Sequence, residues 1–82
     1  MRVGQKAKIA EIRGYLKSEG ETYPDSTKAR LDKEMRREVQ ACGWGVGTEV
    51  EITFVFSDDW VRVRGPKGYV LEIPADCLKV LQ

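Results

Sequence analysis

The sequence predicts one small, mainly β domain: a partly open barrel of about five short strands with one helix inserted near its start. Three observations lead there. Residues 48–56 alternate apolar and polar side chains, the mark of a strand with one face on a core. Turn-forming clusters at Ser57, Asp58 and Asp59 and at Gly65, Pro66, Lys67 and Gly68 cut the following residues into short returns. Residues 26–42 instead carry apolar side chains at helical spacing.

The elements follow in order. In residues 3–12, Ala7 and Ile9 alternate with Lys6, Lys8 and Ala10, a half-buried strand with a bend expected near Ala10 and Glu11. Residues 18–26 are polar and hold Pro24, which reads as a loop leading to a helix start, with Asp25 as the expected N-cap and Ser26 as its rival. In the helix expected over residues 26–42, Leu31, Met35, Val39 and Cys42 form one narrow stripe. Asp32 with Arg36 and Glu34 with Arg37 stand at ion-pairing separations, and Gly43 supplies a left-handed C-terminal stop. A stripe that thin suits a helix laid across a barrel rather than one in a bundle.

Gly43, Gly45 and Gly47, with Trp44 and Val46 between them, form a tight connector. In the next strand Val50, Ile52, Phe54 and Phe56 are expected to point inward together, with Glu49, Glu51 and Thr53 outward. In the return, Val61 and Val63 point inward and Arg62 and Arg64 outward; Glu49 and Glu51 are expected to pair with these arginines across the sheet. Tyr69, Leu71 and Ile73 share a face of the next strand, which Pro74 stops. One helical turn over residues 74–77 and a last strand over residues 78–81 complete the chain. Strand, long helical insertion, three-strand meander, single turn and short final strand is the order of an SH3-like barrel. A mixed open sheet covered by the helix is the other arrangement the pattern permits.

With 82 residues the chain suffices for one domain, 1–82. No apolar run reaches the length of a membrane span, and nothing hydrophobic follows Met1 and Arg2 to make a secretory leader; a cytoplasmic protein without direct membrane insertion is expected. Net charge is only +1, which does not imply strong nonspecific nucleic-acid binding. Arg2, Lys6, Lys8, Arg13 and Lys17 concentrate positive charge in the first twenty residues, either as a modest patch or as scattered solvated charge.

The chemistry-bearing residues are few. There is no histidine, so no imidazole base serves a nucleophile. Cys42 and Cys77 lack metal-ligand spacing and read as two small buried hydrophobes. Gly43, Gly45 and Gly47 follow a helix and open a strand, the reverse of a phosphate-binding loop. The sequence thus predicts no enzyme, no cofactor, and no catalytic or metal site. Its candidate contact residues are Trp44, Trp60, Arg62 and Arg64. Both tryptophans flank turns, where they either cover the barrel ends or offer contact area, and strict alternation places Trp60 outward.

The stretch Gly43, Trp44, Gly45, Val46, Gly47, Thr48, Glu49, Val50 resembles the FeoA family, small cytoplasmic accessory proteins of ferrous-iron transport. Arg37, Val39 and Cys42 stand where that family's helix carries an arginine, a leucine and a methionine. Gly43 takes the helix-ending glycine, Trp44 the hydrophobic position, and Gly47, Thr48, Glu49 and Val50 the strand opening. Arg62, Val63, Arg64 and Gly65 look like its later hairpin, and Gly4 and Gln5 with Ala7 and Ile9 like its first strand. The connector over residues 14–28 is longer than the family's, and residues 68–74 look more like the end of an ordinary SH3 domain. The resemblance implies an SH3-like fold, no catalytic residue, and contact with the cytoplasmic, GTPase-bearing part of a membrane iron transporter. The expected function is a non-catalytic protein-interaction module. The alternatives are a nucleic-acid-binding barrel using Lys6, Lys8, Arg62, Arg64 and Lys67, and a stabilising subunit of a larger complex.

Overall fold

The computed structural model describes residues 1–81; Gln82, the last residue of the expected domain, lies outside the described residues. Five antiparallel strands form one sheet: β1 (Lys6–Ile9), β2 (Glu49–Val55), β3 (Trp60–Arg64), β4 (Val70–Pro74) and β5 (Leu78–Val80). Their order is β4-β3-β2-β1-β5, so β4 and β5 are the free edges of a small SH3-like, partly open barrel. A 3-10 turn, Ala75–Cys77, carries the chain from one edge to the other, where a helical turn is expected. A second, Pro66–Gly68, joins β3 to β4.

The connection from β1 to β2 carries two helices, α1 (Lys17–Gly20) and α2 (Asp25–Ala41). α1 lies where the sequence suggests loop. It forms because the Glu19 carboxylate accepts the Leu16 N–H at 2.9 Å, closing the first turn on itself. α2 begins one residue earlier than expected: Pro24, not Asp25, is the N-cap, and no side chain caps the helix. Proline's fixed φ of −61° holds the extended entry that a capping side chain would otherwise select. At the other end Gly43 takes φ +75° and donates to the Gln40 carbonyl, while Trp44 N–H donates to Val39. This is a Schellman stop, and its hydrophobic partners, Val39 and Trp44, both enter the core.

The ion pairs expected along α2 are replaced by others. Arg30 pairs with Glu34, and Lys28 with Asp25, each at 3.7 Å. Asp32 instead turns toward the incoming chain and accepts the Gly14 N–H at 3.1 Å, a backbone donor that no strand satisfies.

Met35, Val39 and Cys42 from α2 close a core built from Ala7 and Ile9 (β1), Val50 and Ile52 (β2), Val61 and Val63 (β3), Leu71 and Ile73 (β4) and Leu78 (β5). The expected inward set of β2 holds only for Val50 and Ile52. Ile52 faces Val63 across the sheet, but Phe54, not Thr53, faces Arg62, and Val55 faces Val61. Thr53 is therefore an extra residue, a β-bulge, and it turns Phe54 and Phe56 outward and Val55 inward. The Thr53 hydroxyl donates to the Arg62 carbonyl at 3.3 Å beside the interrupted ladder. In β4, Leu71 and Ile73 are buried as expected, while Tyr69 lies before the strand and is exposed.

The bend after β1 is anchored by a buried cation. Ala10 and Glu11 both donate their N–H groups to the Cys77 carbonyl. Arg13 is only 7% exposed. Its guanidinium binds the Glu11 carboxylate, the Asp76 carboxylate at 2.9 Å and the Tyr15 carbonyl. Burial disfavours that charge, yet the bonds from Glu11 and Asp76 together with the field of the Cys77 sulfur outweigh it and raise the Arg13 pKa. Asp76 also accepts the Lys17 N–H, so one 3-10 turn fixes both the bend and the start of α1.

Trp44 covers one end of the barrel beneath Gly65. A Cβ at Gly65 would stand 2.6 Å from the indole Cζ2. Gly65 has φ −127°, which any residue adopts, so the cost of a side chain there is purely steric. Gly65→Ala is expected to destabilise the fold by about 1–3 kcal/mol, the usual penalty for overpacking. Denaturant unfolding checks this, and Gly65→Ala with Trp44→Phe should cost less than the sum of the two single changes.

Candidate functional site

The bulge in β2 creates an aromatic cluster on the outer face of the sheet. Phe54 and Phe56 are 47% and 46% exposed. Their rings meet edge to face with centroids 4.8 Å apart and planes at 63°. From β3, the Arg62 guanidinium carbon lies 5.7 Å from the Phe54 centroid and 5.1 Å from that of Phe56. From β4, Glu72 binds Arg62 at 3.0 Å, and Val70 stands exposed on the same face opposite Arg64. The aromatic pair and the cation over it each contribute on the order of 0.5–1.5 kcal/mol, enough to hold the two rings in one arrangement.

Beside this cluster the outer face is a lattice of ion pairs. Glu51 binds Lys6 from β1 at 2.9 Å and reaches Arg64 from β3 at 4.0 Å. The Lys6 hydrogen bond and charge hold the Glu51 carboxyl below its ordinary pKa. Glu51 does pair with Arg64, as the sequence suggests. Arg62 takes Glu72 instead of a glutamate of β2, because the bulge places Phe54 opposite it. A shallow groove of about 570 Å³ between Lys6, Glu51, Arg64 and Pro66 follows these pairs.

The four sequence candidates are not brought together. Arg62 and Arg64 stand on the outer face, both ion-paired. Trp44 is 6% exposed, its indole N–H donating to the Pro66 carbonyl at 3.3 Å, so it packs an end of the barrel. Trp60 is half-buried and leans on the core despite its outward parity. Phe54 and Phe56, not singled out for contact by their pattern, reach the surface, as does Tyr69 before β4. Of the basic residues near the start, Arg13 is buried and belongs to the structural network described above.

The cysteines stay remote from this face. Both are free and buried. Burial, with a smaller push from the Glu38 charge, raises the Cys42 pKa. Burial pushes Cys77 up to about 11 against the opposing pull of Arg13. Both thiols are therefore protonated at neutral pH, the inert form. Among the described residues no three of His, Cys, Asp and Glu converge as a metal site would require. No described helix is long and apolar enough to cross a membrane.

Compared with protein-family models, curated proteins and solved structures, the chain matches none.

The Cys77 shift has a measurable consequence. An unfolded thiol ionises near 9.0, while the folded one keeps its proton up to about 11. Between these values the folded state binds more protons, so stability falls as pH rises. Urea unfolding between pH 8 and pH 11 is expected to show a loss of about 2 kcal/mol that Cys77→Ala lacks.

Proposed function

We propose that this chain is a non-catalytic protein-interaction module whose contact surface is the outer face of β2, β3 and β4. The observation that carries this reading is the exposure of Phe54 and Phe56 in one ordered cluster with Arg62. Two large aromatic side chains are turned to solvent by a bulge, and an aromatic pair beside an arginine is the composition of an interface anchor. The arrangement supplies area and shape rather than a reacting group.

The first partner to test is the cytoplasmic, GTPase-bearing part of a ferrous-iron transporter, which the resemblance to the FeoA family implies. Titration of that protein is expected to perturb Phe54, Phe56 and Arg62 most. Phe54→Ser with Phe56→Ser should weaken binding tenfold or more while the chain stays folded, its melting temperature lowered by roughly 5–10 °C as the ring and Arg62 contacts are lost. No binding at high micromolar concentration removes the transporter as the partner.

Single-stranded nucleic acid is the second reading, favoured by the same aromatic–arginine cluster, since bases stack on such platforms. Against it, Arg62, Arg64 and Lys6 already spend their charge on Glu72 and Glu51. It requires an affinity for single-stranded RNA that falls steeply with salt. A flat salt response excludes it and supports the protein reading.

A further inference from the structure

The free edge of β4 borders a groove whose far wall is α2. The ladder to β3 decides which backbone groups face that groove. Gly65 N–H donates to the Tyr69 carbonyl and Ala75 N–H to the Asp59 carbonyl. With the register Val63–Leu71 and Val61–Ile73, these bonds make 65/69, 63/71, 61/73 and 59/75 the hydrogen-bonded pairs. The alternate residues, Val70 and Glu72, therefore turn both N–H and C=O away from β3, toward the open side. No other bond to these backbone groups exists among the described residues. Pro74, next in the series, has no N–H to leave unpaired, as suits an edge position.

The groove between this edge and α2 holds about 400 Å³. Met35 and Leu71 give it an apolar floor, Trp60 closes one end, and Val70 lies half exposed along it. Its charged lining side chains are both acidic, Glu38 from α2 and Glu72 from β4, the latter already held by Arg62 at 3.0 Å. Glu38 has no ion-pair partner among the described residues, and the exposed Asp58 and Asp59 lie in the turn just before Trp60.

We propose that this groove receives an extended, lysine- or arginine-bearing segment of a partner protein, added as a sixth strand on β4. The backbone of Val70 and Glu72 would supply two donors and two acceptors, the usual source of affinity in strand addition. Apolar side chains of the incoming strand meet Met35, Leu71 and Trp60, and its basic ones meet Glu38, unpaired among the described residues, with Asp58 and Asp59 exposed in the turn before Trp60. Charge favours this occupant over a second copy of the chain, whose own β4, Val70–Pro74, carries a glutamate and no lysine or arginine to offer Glu38. The groove adjoins the aromatic face and shares Val70 and Glu72 with it, but the proposal rests on the β4 backbone edge and on Glu38, not on Phe54 or Phe56.

The test uses the full chain and an acetylated, amidated hexapeptide of alternating lysine and valine, followed by amide NMR and hydrogen exchange. The amides of Val70 and Glu72 are expected to shift most and to exchange at least tenfold more slowly at saturation. The same peptide with glutamate for lysine, or with N-methyl groups on its edge-facing amides, should bind at least tenfold more weakly. Glu38→Lys, on the exposed flank of the helix, should weaken the lysine–valine peptide to the same degree without altering the fold. Phe54→Ser with Phe56→Ser should change its affinity less than twofold, which separates the two surfaces. Equal binding of the N-methylated peptide, or shifts centred on Phe54, Phe56 and Arg62, would overturn the proposal. So would protection of Val70 and Glu72 that grows with protein concentration and no peptide, since the edge then belongs to a second copy.

Discussion

A sheet that curls over its own core has a single inner face, and in this chain the extra residue at Thr53 decides which part of β2 belongs to it. Up to Ile52 the strand is in phase with β3; beyond Thr53 it is out of phase by one side chain. Because the side-chain period of a strand is two, that single insertion moves Val55 in and Phe54 and Phe56 out. The interior is already filled by Val61, Val63, Ile73, Met35, Val39 and Cys42, all packed without exposure or nearly so. Two phenylalanines in place of Val55 would need volume that this interior lacks. The core and the outer aromatic cluster are thus two results of one displacement, and neither persists if β2 returns to regular register.

The helical insertion depends on a second constraint, at the opposite end of the chain. Arg13 is a buried cation whose partners come from both sides of the barrel: Glu11 and Tyr15 beside it, and Asp76 from the 3-10 turn between β4 and β5. A guanidinium with so little exposure is tolerable only because its donors are matched by two carboxylates and a carbonyl. The network ties the exit of β1 to the turn that delivers β5, the strand paired with β1. It thereby sets where α1 begins and where the chain enters α2. The Schellman stop at Gly43 then drops Trp44 onto the barrel end beside Gly65. Helix position follows from fixed points at both ends, not from the stripe alone.

Much of this was legible in the sequence, and the part that was not has a common cause. Five strands, the helix, the glycine stop after Cys42 and the single turn before Leu78 are each marked by local composition, and local composition is what a sequence displays. The bulge is not, because Phe54 and Phe56 continue the alternation of Val50 and Ile52; only the partner strand reveals that Thr53 is surplus. The exposure of the two tryptophans was hidden for the same reason. Trp44 and Trp60 flank turns, yet whether a tryptophan at a turn covers a barrel end or faces solvent depends on what stands across from it, and for Trp44 that is the missing side chain of Gly65. The partners of Asp32 and Arg62 were likewise set by tertiary neighbours, the Gly14 N–H and the Glu72 carboxylate.

The same logic bears on what kind of partner the surface suits. The cations of the outer face are numerous enough to suggest a polyanion, but each of Lys6, Arg62 and Arg64 sits beside a carboxylate on a neighbouring strand. A phosphate backbone gains affinity by releasing counterions from free cations, and a cation already held by a glutamate must first give up that contact. An apolar side chain approaching Phe54 and Phe56 meets no such cost: the rings are already ordered against Arg62, and burying them removes apolar surface from water. Fixed rings framed by satisfied ion pairs therefore favour a protein surface with a complementary apolar patch, and they leave the charge pattern of the face to set orientation rather than strength.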